Sequence, residues 1–584
     1  MKLDRRETLQ LLTAAAMGAS LPAIGRARSR EDIYAIGRFG NVRVLHQTDT
    51  HAQTLPLYFR EPSANIGVGS ARGRPPHLVG QAFLDYFQVP PRSGRAYAYT
   101  CLDFQEAAHR YGALGGFAYI KTLADRLRAE AGHANTLYLD GGDLWQGSGL
   151  ANLMKGTDMV DLSNLLGVDV MTPHWELTYG EAQVRKNIAA FAGDFIAQNI
   201  FLTDEAAFNG APSFDPASGR VFRPHVIKEL NGHRIAIIGQ AFPYQPIAHP
   251  SRFVADWSFG IREAELQKLV DGLRAMERPD AVLLLSHNGM DVDLKLASRV
   301  RGIDVILGGH THDAVPRPVR VGNAGGSTLV TNAGSNGKFL AVLDLDVGAG
   351  RVVDLRYTLL PVFSHLLAPD AGVARRIAET EAPHARMLDD ELALAEGLLY
   401  RRGNFNGTMD QLICDALRAE LDVPIALSPG FRWGPSLLSG HRITMRDVLA
   451  ETAITYPDVY VQEMTGAELR AVMEDVCDNL FNPDPYRQQG GDMVRMGGLD
   501  YVCAPGQAMG SRISGMTLDD GTPVDPAKTY RVAGWASVNQ EQTGTPVWEV
   551  VARHLRATRT VRTPKLNRVR LEGVAPNPGY IPLT

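Results

Sequence analysis

The chain has 584 residues, of which 45% are hydrophobic and 21% are charged, and its formal net charge at pH 7 is −5. This length exceeds what one hydrophobic core usually organises, so we expect at least two domains. The composition is that of an ordinary soluble globular protein, and the lack of a strong basic field argues against a nucleic-acid-binding protein.

The N-terminus has the pattern of an export signal. Arg5 and Arg6 precede the weakly apolar run Leu11–Ile24, and small and basic residues follow near Gly25–Ser29. This pattern resembles a twin-arginine signal of bacterial periplasmic proteins. The alternative is the basic start of an amphipathic surface helix, although the run lacks charges and is too short to span a bilayer comfortably. We therefore predict a signal over residues 1–28, a periplasmic location, and no membrane span in the mature form.

Short apolar strands alternate with helices after this segment. Strands are predicted at Val42–His46 and Thr136–Asp140, and Leu166–Met171 is also strand-like. Helical apolar spacing occurs at Gly115–Ala131 and Arg262–Met276. Such alternation predicts a layered α/β domain whose functional residues lie at the ends of its strands.

The same layout, a strand followed by polar residues, recurs later in the chain at Arg234–Gly239, Ala281–His287 and Asp304–His312. By contrast, Pro56–Arg95 is rich in Gly, Pro, Arg and Ser without clear periodicity. Because connections in compact domains are usually far shorter, this segment is predicted to be a long surface insertion at the rim of a site.

The predicted domain boundaries follow from the later elements. Strands around Thr328–Asn332 and Phe339–Val347 close a catalytic unit over residues 29–368. The charged amphipathic stretch Asp370–Ala393 predicts a linker helix within residues 369–394, and a second unit occupies residues 395–584.

Four cysteines, Cys101, Cys414, Cys477 and Cys503, lie far apart without a C-x-x-C pair. This spacing favours neither a zinc ribbon nor a disulfide scaffold, so four buried thiols are the simplest interpretation. One long-range disulfide is possible in an oxidising compartment, but the sequence does not show whether any two sulfurs meet.

Histidines and aspartates lie at or just beyond strands in five separate stretches. The candidate metal ligands are Asp49, His51, Asp143, His174, His287, His310 and His312. A D-x-H or H-x-H pair places two side chains of one loop within reach of one ion, and the adjacent glycine pairs permit close approach of the backbone. One aspartate between two such groups can bridge two ions about 3.5–4 Å apart. Each stretch alone fits a turn former or a core histidine better than a metal ligand, so their order is what matters.

In this order the stretches resemble the calcineurin-like metallophosphoesterases, and the second unit resembles the 5′-nucleotidase branch of that superfamily. The resemblance implies an α/β protein with a four-layer α/β/β/α catalytic domain and a smaller α+β substrate-binding domain. It also implies two metal sites that share Asp143 and a bridging hydroxide as the nucleophile. Asp49, His51, Asp143 and His312 would hold one ion, and Asp143, His174, His287 and His310 the other.

The stretch around His174 departs from the broad family, in which Gly-Asn-His-Asp/Glu supplies an asparagine ligand and a catalytic histidine. Here Pro173, His174 and Trp175 stand at these positions, and Thr178 stands where nucleotidases place an acid that orients the catalytic histidine. Imidazole suits Mn, Fe or Zn, so His174 can replace the asparagine. Trp175 cannot transfer a proton, which leaves the general acid unidentified.

This departure favours a sulfur leaving group. A thiolate, with a parent pKa near roughly 8.5, leaves with less help than an alkoxide does. The alternative is that Trp175 packs in a degenerate, inactive site, although all the ligand positions are filled.

These details resemble a narrower family, the SoxB thiosulfohydrolases of bacterial thiosulfate oxidation. The matching stretches are Asp49–Gln53 (DTHAQ), Gly141–Gly147 (GGDLWQG), His174–Gly180 (HWELTYG) and Gln488–Val494 (QQGGDMV). The resemblance implies a dimanganese centre, with zinc or iron as alternatives. This centre would release sulfate from a cysteine S-thiosulfonate on the flexible Gly-rich arm of a SoxYZ-type carrier protein.

The second unit is expected to bind the anionic end of the substrate. Arg432 is the main candidate, because a planar guanidinium donates paired hydrogen bonds to an oxyanion; a surface salt bridge is the alternative. Asn404 and Tyr486 are weaker candidates, with structural roles as the alternative. Trp175, Trp433 and Tyr486 are candidates for the lining of a narrow channel, with core packing as the alternative.

Three functions remain open from the sequence. The first is the thiosulfohydrolase. The second is a periplasmic 5′-nucleotidase or related phosphoesterase, which the ligand order favours but Trp175 and Thr178 disfavour. The third is a metal-stabilised binding protein without turnover.

Overall fold

The computed structural model describes residues 32–538 and 542–582, so the predicted export signal lies outside the described residues. Residues 32–37 belong to a separate unit, in which Ile33 and Tyr34 form a turn. The chain from Arg38 onward forms one compact unit. Within the described ranges, no helix is both long enough and apolar enough to cross a membrane.

The first part of this compact unit alternates strands and helices. Its strands are β1 (Val42–Gln47), β2 (Thr136–Asp140), β3 (Val170–Met171), β4 (Asp194–Phe195), β5 (Phe201–Leu202), β6 (His225–Leu230), β7 (His233–Gln240), β8 (Trp257–Ser258), β9 (Ala281–Ser286), β10 (Val305–Gly308), β11 (Val319–Asn323), β12 (Gly326–Asn332), β13 (Phe339–Gly348) and β14 (Arg351–Pro361). Its helices are α1 (Gly80–Phe87), α2 (Gly94–Tyr99), α3 (Phe104–Tyr111), α4 (Phe117–Ala131), α5 (Gly149–Met154), α6 (Thr157–Leu166), α7 (Glu181–Ala190), α8 (Asp204–Phe208), α9 (Gln245–Ala248), α10 (Glu263–Gly272) and α11 (Met290–Arg299).

Two six-stranded sheets form the centre of this part, in the orders β14-β13-β1-β2-β3-β4 and β11-β12-β10-β9-β7-β6. Strands β1 to β4 are parallel, as are β7, β9, β10 and β12, whereas the outer hairpins are antiparallel. Strand β9 is buried along its whole length, as expected for a parallel strand covered on both faces.

Apolar side chains join the two sheets face to face. Val44 and Leu343 of the first sheet belong to one buried cluster with Leu283 and Leu307 of the second. Helices α10 and α11 pack outside the second sheet, and α4 packs against β1 of the first. The order of layers is therefore helix, sheet, sheet, helix, and the predicted four-layer α/β/β/α domain is confirmed.

The second part is a smaller α+β assembly, as predicted. Its strands are β15 (Glu391–Ala395), β16 (Ile425–Ser428), β17 (Arg442–Thr444), β18 (Val459–Thr465), β19 (Arg495–Gly497), β20 (Leu499–Cys503), β21 (Ile513–Leu518), β22 (Thr529–Trp535), β23 (Thr560–Val561) and β24 (Val569–Leu571). Its helices, with the connection that precedes them, are α12 (Ala371–Glu381), α13 (Ala385–Leu388), α14 (Thr408–Leu421), α15 (Met445–Thr452), α16 (Gly466–Phe481) and α17 (Val547–Thr558). The sheets have the orders β18-β22-β16-β19, β17-β15-β23 and β21-β20-β24.

The connection between the two parts differs from the predicted single helix over Asp370–Ala393. Helix α12 begins after Asp370, whose carboxylate accepts a hydrogen bond from the backbone N–H of Val373 at 2.8 Å. It ends at Glu381, because Pro383 has no N–H with which to continue the helix. Residues Glu391–Ala395 form strand β15, which pairs with β17 and β23.

The segment Pro56–Arg95 is not the predicted surface insertion. Leu57, Phe59, Leu78 and Phe83 are buried within it, and it contains helix α1. Its glycines and prolines break the periodicity by which buried apolar residues would have been found. The prediction that this segment lies beside a site still holds, since part of it lines a cavity described below.

The strand-like run Leu166–Met171 also divides differently. Helix α6 continues through Leu166 and ends at Gly167, whose φ of +73° and backbone N–H close the last helical turn. Only Val170 and Met171 form strand β3.

We expect the Asp344→Ala substitution to destabilise the protein by about 3–5 kcal/mol, because it removes the buried carboxylate that a buried arginine binds through two hydrogen bonds. Arg43 of β1 is almost fully buried and donates to both carboxylate oxygens of Asp344, at 2.6 and 3.0 Å. Urea unfolding measures the effect. Glu391→Ala, which removes the exposed partner of Arg442, is the matched control and should cost less than about 1 kcal/mol. Equal losses in the two variants would contradict the assignment.

Candidate metal centre

The seven predicted ligands follow five strands that end at the same edge of the two sheets. Asp49 and His51 follow β1, Asp143 follows β2, His174 follows β3, His287 follows β9, and His310 and His312 follow β10. Backbone hydrogen bonds connect these loops. The N–H of His51 donates to the carbonyl of Asp143 at 2.8 Å, and the N–H of His310 donates to the carboxylate of Asp49 at 2.9 and 3.0 Å. The edges of both sheets therefore meet at one site.

Five of these ligands have left-handed backbone conformations. The φ angles are 53° for Asp49, 49° for His51, 58° for Asp143, 73° for His310 and 61° for His312. Residues with side chains rarely adopt such angles, and strain of this kind concentrates at functional sites, where the surrounding structure over-determines it.

The side chains form two buried groups that share Asp143. Asp49, His51, Asp143 and His312 make one group, and Asp143, His174, His287 and His310 make the other; within each group the ligand atoms all lie within 4.8 Å of one another. Imidazole and carboxylate together are a donor set that suits Mn, Zn or Fe. The residues thus fit two divalent cations, divided between the groups as the resemblance implies.

Burial sets the protonation of this donor set. Desolvation lowers the pKa of His51 to about 3 and holds those of His310 and His312 well below the usual value. These imidazoles are therefore neutral and have lone pairs to offer a metal. At His287 burial has the same effect, but the carboxylates of Asp143 and Asp49 outweigh it and raise the pKa to about 10. The buried carboxylates of Asp49 and Asp143 thus stabilise a positive charge placed between them.

His287 is held in one orientation. Its Nδ1 donates to the carbonyl of Gly141 at 2.6 Å, which directs Nε2 toward Asp143 Oδ2 at 3.2 Å. The predicted role of the glycine pair is visible here, because Gly142 has a φ of +101° and any Cβ on it would lie 2.7 Å from His287 Nδ1.

Glu176 is a functional residue that the sequence analysis missed. Its Oε1 accepts from the backbone N–H groups of Leu144 and Trp145 at 2.6 and 3.1 Å, and its Oε2 accepts from that of His174 at 2.8 Å. This buried carboxylate thereby connects the Asp143 loop to the His174 loop. The sequence could have indicated this role, because Glu176 stands where the broad family has the final acid of its Gly-Asn-His-Asp/Glu motif.

A cavity of about 270 Å³ lies over the two groups, between the first and second parts of the molecule. His51, His174, His310 and His312 contribute to its floor; its aromatic wall consists of Trp175, Phe242, Phe431, Trp433 and Tyr456. Trp175 packs edge-on to Trp433 at 5.3 Å between ring centroids, and Trp433 stacks on His51 at 4.6 Å. The structure therefore places Trp175 and Trp433 in this lining, where the sequence analysis put them.

This wall offers few proton donors. The Tyr456 hydroxyl already donates to the carbonyl of Ala248 at 2.7 Å. The indole Nε1 of Trp433 is buried and has no hydrogen-bond partner among the described residues. Thr178, whose hydroxyl donates to the carbonyl of Trp175 at 2.8 Å, orients backbone rather than an imidazole.

Arg432 lies beside the ligand loop and not on the surface. Its guanidinium is buried and donates to the carbonyls of His310 and of Gly491, the latter at 3.2 Å. Among the described residues Arg432 is buried and forms hydrogen bonds with carbonyls rather than an ion pair with a carboxylate, so the alternative of a surface salt bridge is wrong.

A second arginine, Arg402, was missed by the sequence analysis. Its Nη2 donates to the carbonyls of Thr311 and His312 at 3.2 and 3.5 Å, and its buried Nε has no partner in the described structure. Arg402, Arg432 and Asn404 together line a second cavity of about 60 Å³ next to the first. Nothing in the local sequence distinguishes Arg402 from other arginines, since its role depends on the packing of the two parts.

Asn404 and Tyr486 have different surroundings. The Asn404 Oδ1 accepts from the backbone N–H of Ile66 at 2.8 Å, next to the second cavity. The Tyr486 hydroxyl donates to Glu263 at 2.7 Å, and its ring contacts the ammonium group of Lys295. Tyr486 is not part of the lining of the main cavity. Its position agrees with a structural role, which was the alternative to substrate binding.

Comparisons with known proteins agree with this architecture. The 5′-nucleotidase C-terminal domain family matches residues 395–549. The structure of Thermus thermophilus sulfate thiohydrolase SoxB in complex with glycerol is 36% identical, with a TM-score of 0.85, over 92% of this chain and 98% of that one.

Curated relatives are more distant. Protein UshA of Yersinia enterocolitica is 23% identical over 72% of this chain and 80% of its own length. The trifunctional nucleotide phosphoesterase protein YfkN of Bacillus subtilis is also 23% identical, over 70% of this chain. The match spans only 30% of the length of the Bacillus protein.

We expect the Glu176→Gln substitution to weaken divalent metal binding by about 10–100-fold. Both carboxylate oxygens accept backbone N–H groups, so an amide NH₂ at either position would face another donor. Titration calorimetry with Mn²⁺ measures the affinity and the stoichiometry, which should be two ions per chain. Glu379→Gln, at an exposed position of α12, is the control. Unchanged affinity in Glu176→Gln would show that this carboxylate does not position the ligands.

Proposed function

Because the chain belongs to the SoxB family of the 5′-nucleotidase superfamily, we propose that it is a thiosulfohydrolase. Its substrate is the terminal sulfonate of a cysteine S-thiosulfonate on a carrier protein, and its product is sulfate. The observation that supports this choice is the position of Trp175, in the wall of the cavity over two complete ligand groups. The coarser conclusion, a hydrolase related to metallophosphoesterases, rests on the relatives.

The ligand groups would hold two divalent ions, one on each side of Asp143. Two such ions lower the pKa of a water molecule and offset the charge that develops on the attacked group. We propose manganese, while zinc or iron would fit the same donors.

In the hydrolysis a water oxygen bonds to the sulfonate sulfur and the S–S bond breaks. The electron pair of that bond leaves on the carrier's sulfur, and the protons of water pass to solvent. The apolar rings of Trp175, Phe431 and Trp433 exclude water from the leaving group and contact sulfur favourably. They cannot donate a proton to an alkoxide, so the wall suits an anion that is stable without one.

Arg432 would bind the sulfonate. Two of its N–H groups donate to backbone carbonyls, and the residue lines the cavity. A buried guanidinium without a carboxylate partner favours an anionic substrate, because the substrate offsets its charge. Arg402 adds positive charge behind the His310–His312 loop.

The proposed partner is a SoxYZ-type carrier with a flexible arm that bears the cysteine, and the proposed location is the periplasm. The part of the cavity wall formed by Gly430, Gly490 and Gly491 has no side chains. Beside Gly491, where an added Cβ would meet no atom within 4 Å, the wall leaves room for an extended backbone to enter between the two parts of the molecule.

A 5′-nucleotidase is the second candidate. The matching C-terminal family and the nucleotide phosphoesterase among the relatives favour it. Trp175 disfavours it, since hydrolysis of a phosphate ester gains from a proton donor at that position.

The metal-loaded chain should release sulfate from a glycine-rich peptide with an S-thiosulfonated cysteine faster than it releases phosphate from AMP. Ion chromatography detects both products in one preparation. Asp143→Ala, which removes the ligand that both groups share, is expected to abolish the release and serves as the control for contaminating activity. Rapid phosphate release without sulfate would overturn the proposal.

Trp175→His should raise kcat/KM for phosphate release from AMP by about 100-fold, the lower end of the range for a positioned general acid, because the nucleoside alkoxide gains from a proton. Trp175→Phe is the matched variant, because it also removes the indole but adds no proton donor, and it should show no gain. If both variants or neither gained activity, the indole would not be what selects against phosphate esters.

A further inference from the structure

Two of the four cysteines lie side by side in the second part of the molecule. Cys477 is on helix α16 and Cys503 is the last residue of strand β20, and their sulfurs are 3.5 Å apart. Both thiols are fully buried. The sequence left open whether any two sulfurs meet, and the structure identifies the pair. Cys101 and Cys414 are buried elsewhere.

The surroundings of this pair give the thiols no other role. They lie in an apolar cluster with Met473, Phe481 and Met496. They are not among the metal-ligand groups of the described residues. A disulfide requires sulfurs about 2.05 Å apart, so an approach of roughly 1.5 Å, within the range of small side-chain rotations, would join them.

We propose that Cys477 and Cys503 form a disulfide bond in an oxidising compartment. The two thiols lose two protons and two electrons, and one S–S bond forms between them. The electrons reduce the disulfide of a donor, either a dithiol–disulfide oxidoreductase or a small-molecule disulfide, to two thiols.

The bond forms while this region is open, during folding or a local fluctuation. The contact with Cys477, together with burial, raises the pKa of Cys503 far above its ordinary value, so this thiol stays protonated in the closed structure, and burial keeps an oxidant away from the pair. Once formed, the same burial protects the disulfide from reduction.

This cross-link would restrain one wall of the main cavity. It closes a loop across 26 positions of the sequence, which includes the glycine-rich segment Gln488–Gly491. Gly490 lies so close to His310 that a Cβ on it would be 2.3 Å from Nε2, and Gly491 accepts a hydrogen bond from Arg432. Helix α16 itself contributes Asp475 and Asn479 to the cavity. Oxidation would therefore reduce the mobility of the segment beside the ligands, whatever reaction the site performs.

The first test is chemical. The full chain is refolded in buffers that cover a range of ratios of oxidised to reduced glutathione, and then alkylated and digested. We expect the oxidised chain to lose about 2 Da through one S–S bond and to yield a single linked peptide pair containing Cys477 and Cys503. Four alkylated thiols at every ratio, or a link that involves Cys101 or Cys414, would overturn the proposal.

The second test measures the restraint. A disulfide that closes a loop of this length should raise the Tm of the wild type by about 3 °C relative to its reduced form. It should also slow proteolytic cleavage within residues 482–494. The double variant C477A/C503A should show no difference between oxidising and reducing buffers, whereas C101A/C414A should keep the wild-type shift. Equal behaviour of the wild type in both buffers would contradict the restraint even if the double variant does not fold.

Discussion

The carboxylate of Asp143 fixes how the two sheets of the catalytic part are aligned. Its Oδ2 lies 3.3 Å from His174 Nδ1, 3.2 Å from His287 Nε2 and 3.5 Å from His51 Nε2, and its Oδ1 accepts from the N–H of Trp175. These imidazoles follow strands of both sheets. The two sheets must therefore be packed in one register, with their edges aligned, for a single oxygen to meet them all.

Two buried carboxylates close together disfavour each other's negative charge, and backbone N–H groups offset part of this destabilisation. Asp143 and Glu176 are both buried, and burial together with Asp143 raises the pKa of Glu176. Backbone N–H groups from the two loops stabilise the Glu176 carboxylate, because they already point inward at the turns that present the ligands. The left-handed conformation of Asp143 thus serves two purposes: its side chain enters both ligand groups, and the N–H groups of the two residues that follow it donate to Glu176.

The sequence predicted what depends on local order and failed where distant segments pack together. Strands β1, β2 and β9 and the ligands after them were found because each ligand lies within a few residues of a buried apolar run. Arg402 was not found, because it contacts His312 only when the second part packs on the first. The buried residues of Pro56–Arg95 were missed because they have no periodicity, and Pro383 ended a helix whose charge pattern continues beyond it.

The aromatic wall affects both the charge in the cavity over the metal ligands and the protonation of a leaving group there. Rings such as Trp175 and Trp433 lower the local dielectric, which would strengthen the attraction of the proposed anionic substrate to Arg432 and to two bound cations. The same rings replace the polar groups from which a leaving group would take a proton. Under the proposed function, a site that gains affinity for anions in this way would lose the means to assist an alkoxide, and its chemistry would favour bonds whose leaving atom is already a stable anion. A persulfide sulfur meets that condition, and an ordinary nucleoside alkoxide does not.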